Sequence, residues 1–456
     1  MLNFIFKPHR ANLRAGTPDP QKLFVMLKLI PQQEVAQGRP PLAFALVIDT
    51  SGSMQEGSSP NTGSKYNQQM RDLERATPNQ GTKLEWAIRA AHALIDDPRL
   101  QDTDHVTVIH FDDNAKTLLP LTPLARKHAA HEAVESLRRC SGGTHMAKGI
   151  RNAVQELRGL PAHVAKRMLL LTDGKTFDEE ECRVLAAECA PDNTPVIAIG
   201  IGDEYNEHLM RHVSETSQGR PYHLHNMAQL RDILDVEVGS SVREVITDLR
   251  ATVSTVKGIT LDSFTRVYPS LADINVEEAP HHLGNIAAGD YTVFVLEFTA
   301  AGLSRPASRV RLTQVGLTGH VPGFQRRDEL PPQDLFVTFT PDENSVATVE
   351  TEVLSYVQQR NVDRMVQDAM TQAATDAPLA RQTLQAAKGV THRIGNTPMT
   401  RLIDNALDEL DRTGTISSGM RKTVSLGGRT RTIRIEPTSK NEGVPSEHEI
   451  RKLTGA

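Results

Sequence analysis

The chain has 456 residues, 38% of them apolar and 23% charged, with a formal net charge of -5. This length and composition exclude a wholly disordered chain and supply enough apolar material for two or three domains. The negative balance disfavours a protein built around nucleic-acid phosphates, and no apolar run approaches the roughly 20 residues that span a bilayer.

The start, residues 1–8, has neither a basic leader nor a long apolar core, so no secretion signal is read and a cytoplasmic location is expected. Residues 21–30 read as a strand ended by Pro31, followed by a polar linker over 31–41. From Leu42 onward, apolar runs at 42–48, 104–111, 167–172 and 194–201 alternate with helical patterns at 83–95, 128–137, 147–157 and 178–189, and helical stretches continue over 229–249. Strands alternating with helices predict crossover units and a doubly wound, mostly parallel α/β sheet covered on both faces, placed at 41–243. Cys140, Cys182 and Cys189 lie outside any CxxC spacing and read as reduced structural thiols. His223 and His225 alternate like solvent-facing strand residues.

Asp49-Thr50-Ser51-Gly52-Ser53 follows the first of these strands directly. Asp173-Gly174-Lys175-Thr176 leaves another strand at the same carboxyl edge, and Ser141-Gly142-Gly143-Thr144 opens a helix between them. Open α/β sheets bind ligands at that edge, so three loops are expected to converge on one spot. One carboxylate and two hydroxyls spaced two apart suit a hard cation held by few charges, Mg²⁺ before Mn²⁺ or Ca²⁺; zinc would prefer thiolates and imidazoles. Asp173-Gly174-Lys175-Thr176 is no phosphate loop, because Leu169 stands where the first glycine belongs, and Asp112 and Asp113 read as turn residues.

The run from Leu46 to Met54, with Gly142-Gly143-Thr144 and Leu171-Thr172-Asp173-Gly174, resembles a von Willebrand factor type A domain with a complete metal-ion-dependent adhesion site. The resemblance covers about half the chain. It implies that Ser51, Ser53 and Thr144 give hydroxyl oxygens to Mg²⁺, while Asp49 and Asp173 bind it directly or through water. Residues 55–82 depart from the family pattern as a long polar insertion, which reads as disordered in preference to a partner-reading element.

Beyond about 245, strands are expected at 250–256, 259–268, 291–299 and 308–314, giving a β-sandwich-like domain over 244–342. The spacing over Leu283 to Asp290 resembles bacterial relatives of the inter-alpha-trypsin inhibitor heavy chain and calcium-activated chloride channel-like proteins. That resemblance implies that the segment 1–40 joins the sandwich and that the metal domain is an insertion. Residues 343–412 read as helical, with Val349, Val353, Tyr356 and Val357 on one face, and 413–456 as an exposed, basic polar tail. In that tail Thr423, Ser425, Thr430 and Thr432 are candidate phosphorylation sites, and Arg421, Lys422, Arg429, Arg431 and Arg434 candidate contacts to an acidic partner or to nucleic-acid phosphates. A solvated end without a role is the preferred reading.

The function expected from these observations is non-enzymatic. A Mg²⁺-dependent module binds an acidic residue of a protein partner, as an accessory or adaptor subunit of a cytoplasmic bacterial complex beside an ATPase, kinase or other effector. The alternatives are a metal-dependent phosphohydrolase and a structural subunit whose ion only stabilises the sheet.

Overall fold

The computed structural model describes residues 2–33, 38–57, 81–224, 229–301 and 305–435. The chain divides into two compact units, Arg39–Thr247, and Met1–Gly38 together with Asp248–Ala456. The amino-terminal strands of the discontinuous unit are β1 (Leu2–Pro8), β2 (Asn12–Arg14) and β3 (Gln21–Pro31).

The continuous unit runs β4 (Leu42–Asp49), α1 (Lys83–Ile95), β5 (His105–Phe111), β6 (Ala115–Pro123), α2 (Lys127–Ser136), α3 (Met146–Leu157), β7 (Ala165–Thr172), α4 (Glu179–Cys189), β8 (Val196–Ile201), α5 (Glu207–Thr216), β9 (Arg220–Leu224) and α6 (Gln229–Ser241). Its six-stranded sheet has the order β6-β5-β4-β7-β8-β9, parallel throughout except for the β5–β6 pair. Every residue of β4 and β7 is buried, as central strands covered by helices on both faces require. On α1 the expected face of Leu84, Ala87, Ile88, Ala91 and Leu94 is buried, and Thr82 caps the helix by accepting the Glu85 N–H at 3.1 Å. On α3 a Cβ at Gly149 would lie 2.8 Å from Phe111 and 2.9 Å from Val47, so glycine lets this helix sit close against the sheet.

Two local readings are corrected. The helical stretch expected to reach Leu249 ends at Ser241, and the chain is extended again from Glu244. The β-branched run Val245-Ile246-Thr247 favours the strand. The edge strand β6 was not anticipated; its Pro120 and Pro123 mask the strand pattern, and prolines are tolerated at a sheet edge.

The chain passes into the discontinuous unit at Asp248, within β10 (Glu244–Thr255), and continues with β11 (Ile259–Tyr268), β12 (Ala272–Ile274), β13 (His281–Ala287), β14 (Thr292–Ala300), β15 (Ser308–Val321) and β16 (Arg326–Thr340). That unit holds two five-stranded sheets, β1-β3-β14-β11-β12 and β13-β10-β15-β16-β2. β3 pairs antiparallel with β14 from Leu29↔Thr292 to Gln21↔Ala300. Helices α7 (Glu343–Ala347), α8 (Thr351–Gln372), α9 (Ala377–Ile394), α10 (Thr397–Thr413) and α11 (Ser418–Thr430) follow. Val353, Tyr356 and Val357 of α8 pack on Phe24 and Met26 of β3 and on Val293 and Val295 of β14.

Helix α11 overturns the exposed-tail reading for residues up to Ile435. Val424 joins Val366, Leu402 and Ile403 in the helical core, while Lys422, Ser425 and Arg429 are buried. Arg429 Nε lies 3.1 Å from Asp363 Oδ2, the Ser425 hydroxyl donates to Gln367 Oε1 at 2.9 Å, and Arg434 pairs with Asp290 at 2.7 Å. Basic composition suggested solvent, but buried charges are accommodated once they are paired. Residues 436–456 lie outside the described residues, as do 58–80 of the insertion and His225.

The discontinuous unit also carries an acid-sensitive residue. His9 is fully buried; its Nε2 accepts from Arg10 Nε at 2.8 Å, which leaves Nδ1 as the N–H that faces Phe24 O at 3.3 Å. Burial first, then the Arg10 charge, lowers its pKa from 6.5 to about 3. The folded residue therefore stays neutral where the unfolded one takes up a proton. Its contribution to stability is complete above 6.5 and is lost as pH falls towards 3, by up to about 1.4 kcal/mol per pH unit. Urea unfolding from pH 7 to 5 should show a shallower pH slope for His9→Gln than for the wild type; equal slopes would exclude His9 as the acid-sensitive group.

Candidate functional site

Two loops leave the carboxyl edge of the parallel sheet, another leads into α3 beside them, and the three are tied to one another by hydrogen bonds. In the first, the Thr50 N–H donates to Phe111 O at 2.9 Å, and the Gly52 N–H donates to Gly142 O at 3.1 Å. The Thr50 hydroxyl lies 3.1 Å from His110 Nδ1. In the second, the His145 N–H donates to Asp112 O at 2.8 Å. Asp112 sits in the turn expected of it, its Oδ1 accepting the Asn114 N–H at 2.9 Å. A Cβ at Gly142 or Gly143 would come within 2.8 or 2.5 Å of the Asp113 carboxylate, which accounts for the glycine pair. In the third, Thr176 Oγ1 accepts the Met146 N–H at 2.9 Å and lies 3.1 Å from Thr144 O.

This scaffold brings the five predicted residues together. Asp49, Ser51, Thr144 and Asp173 are buried and Ser53 is half-buried. Asp49 Oδ1 accepts the Ser51 N–H at 2.8 Å, and Asp49 Oδ2 accepts the Thr172 hydroxyl at 2.6 Å. Ser51 Oγ and Ser53 Oγ are 3.1 Å apart, and the Ser53 hydroxyl donates to Asp173 Oδ1 at 2.7 Å. Thr144 Oγ1 and Ser53 Oγ lie 3.7 and 3.9 Å from where a Cβ of Gly174 would stand, so glycine leaves open the space that both oxygens border.

The donors are all oxygens. The 3.1 Å between the two serine hydroxyls matches the separation of about 3 Å expected for adjacent ligands on an octahedron of about 2.1 Å radius, the geometry Mg²⁺ demands. Burial pushes the Asp49 carboxyl up to about 6; the donors from Ser51 and Thr172 oppose that rise, and the Asp173 charge adds to it. Such a carboxylate gains from a cation beside it.

Sequence reasoning missed two members of the cluster. Thr172 orients Asp49, and Lys83 places its ammonium 2.6 Å from Asp173 Oδ2. Thr172 was visible as the residue before Asp173. Lys83 carries no local signal, because it reaches the site only after the chain has returned from the long insertion. Lys175, next to the loop aspartate, is exposed, and so is Phe177 at 79%.

Residues 44–236 match the family model of the von Willebrand factor type A domain. This stretch is a von Willebrand factor type A domain. Residues 351–434 match the Sll0103-like, C-terminal alpha-helical domain, the region of α8 to α11. The von Willebrand A fold recurs in two solved structures that extend over nearly the whole chain. A von Willebrand factor type A protein from Catenulispora acidiphila is 18% identical with a TM-score of 0.75, covering 95% of this chain and 97% of that one. The ArnB paralog VWA2 from Sulfolobus acidocaldarius is 15% identical with a TM-score of 0.62, covering 95% and 99%. At these identities the likeness is one of fold. The uncharacterized protein sll0103 of Synechocystis sp. is 27% identical over 220 residues, which are 48% of this chain and 46% of that protein; this chain therefore spans less than half of that relative. Von Willebrand A domains are protein-interaction modules, typically without catalytic activity, and no helix among the described residues is long and apolar enough to cross a membrane.

Proposed function

We propose that the von Willebrand A domain holds Mg²⁺ at a complete adhesion site made of Asp49, Ser51, Ser53, Thr144 and Asp173, and that the ion docks an acidic residue of a protein partner. Mn²⁺ or Ca²⁺ can take the same oxygen ligands. The observation that carries this reading is the convergence of three hydroxyls and two buried carboxylates, from three loops, on one edge of the sheet. The ion would supply a coordination position open to an outside oxygen, and the chain's own residues fix the geometry around it. In this reading the protein is a cytoplasmic adaptor that brings a partner to an effector such as an ATPase or kinase. The strand-rich unit assembled from segments on both sides of the metal domain supports kinship with the inter-alpha-trypsin inhibitor heavy chain and chloride channel-like proteins.

Affinity capture should recover a partner with the wild-type chain in Mg²⁺ and lose it in chelator and with Asp49→Ala or Ser53→Ala. Equal recovery in all four cases would sink the metal-bridged model.

A further inference from the structure

The aspartate on the third loop already has a cation beside it. Lys83 Nζ lies 2.6 Å from Asp173 Oδ2 and 3.5 Å from Ser53 O; the lysine side chain is 17% exposed, and that of Asp173 is fully buried. This contact is built into the backbone. Lys83 is the first residue of α1, its N–H donates to Glu56 O at 3.2 Å, and the adjacent Thr82 forms an antiparallel bridge with Gly57. The turn that follows Ser53 therefore holds the lysine's own main chain at the rim of the site.

Two buried carboxylates and one ammonium leave a single negative charge in the site. A divalent ion turns that into a single positive charge, which one incoming carboxylate cancels. Without the ammonium, the loaded site would be neutral and an incoming carboxylate would leave it negative. Like charges a few ångströms apart in a partly buried site repel strongly.

We propose that Lys83 is a resident counter-ion of the metal site. It pairs Asp173 in the metal-free protein, weakens binding of the divalent ion, and makes the loaded site favour an anionic ligand. Metal and carboxylate then reinforce each other's binding, as linkage requires. This inference rests on the metal reading given above.

The test is titration of Mn²⁺ into the full chain at low ionic strength, followed calorimetrically, for the wild type, Lys83→Met and Lys83→Gln. Both variants should bind Mn²⁺ about tenfold more tightly than the wild type, the scale expected when one nearby charge is removed from a partly screened site. Their metal-free melting temperatures should fall, because Asp173 has lost its partner. Replacing chloride with acetate at equal ionic strength should tighten Mn²⁺ binding more in the wild type than in the variants. Lys83→Gln keeps a donor for Asp173 and decides the matter if Lys83→Met does not fold. Equal or weaker Mn²⁺ affinity in a folded variant overturns the role of Lys83 and leaves the metal site standing. No Mn²⁺ binding by any folded form overturns both.

Discussion

Arg167→Met should destabilise the von Willebrand A domain by about 3–5 kcal/mol, measured by urea unfolding, because it removes one partner of a buried ion pair. Arg167 and Glu244 lie against each other with side chains 8% and 3% exposed, and Arg167 Nη1 also donates to Lys166 O at 2.7 Å. Burial lowers the guanidinium pKa to about 10, against the opposing pull of Glu237, so the group remains charged at neutral pH. The methionine variant keeps much of the arginine's apolar stem but leaves the Glu244 charge without its guanidinium. Arg167→Met with Glu244→Leu should recover most of the loss, since an apolar pair of similar volume avoids desolvating either charge. A loss below about 1 kcal/mol in the single variant would show that the pair behaves like a surface contact.

Asp49→Asn should have the opposite sign in the metal-free protein, raising stability by about 1–3 kcal/mol while abolishing any stabilisation by Mg²⁺. The Asp49 carboxyl is fully buried and its pKa is raised to about 6. A carboxyl raised in this way costs stability wherever it is ionised: the cost is absent below its unfolded value and complete above about 6. Asparagine removes the charge and still accepts one of the two hydrogen bonds that Asp49 receives from Ser51 and Thr172. On the metal reading proposed above, Mg²⁺ at one hundred times its dissociation constant should add about 2.7 kcal/mol to the wild type. Thermal melts of both proteins with Mg²⁺ and with chelator give all four values. A destabilised metal-free Asp49→Asn would show that the carboxylate serves the fold as well as the ion.

Much of the site was legible because its geometry is encoded locally. Asp49, Ser51 and Ser53 follow a strand that is buried along its whole length, and a strand fixes the direction in which the next residues leave the sheet. Asp173 leaves a neighbouring strand at the same edge, and Thr144 and Asp173 were assigned as ligands by the resemblance to the von Willebrand A motif. Lys83 was not legible, since its approach to Asp173 depends on where the chain re-enters after the insertion, and composition carries no trace of that. In the fold, strand and helix alternation was readable where apolar runs were pure, and it failed at β6, where prolines interrupt the pattern. Helix α11 was missed for a different reason. Its basic residues suggested solvent, but Arg429 is paired with Asp363, and a Cβ at Gly427 would lie 2.6 Å from Leu402, so the glycine permits close packing. Only the partners reveal such burial.

The pairing of β3 with β14 also sets a schedule for synthesis. Leu29 and Thr292 are 263 positions apart, yet they are neighbours in one sheet. At the usual elongation rate of about 5–20 residues per second, β1 and β3 emerge tens of seconds before their sheet can be completed, whereas every strand of the α/β unit has been made by then. The amino-terminal hairpin, with Leu23, Val25, Leu27 and Leu29 in β3, must wait with an open edge while a whole domain folds behind it. The α/β unit is the first of the two that can finish, and the strands made before it belong to the unit that finishes after it.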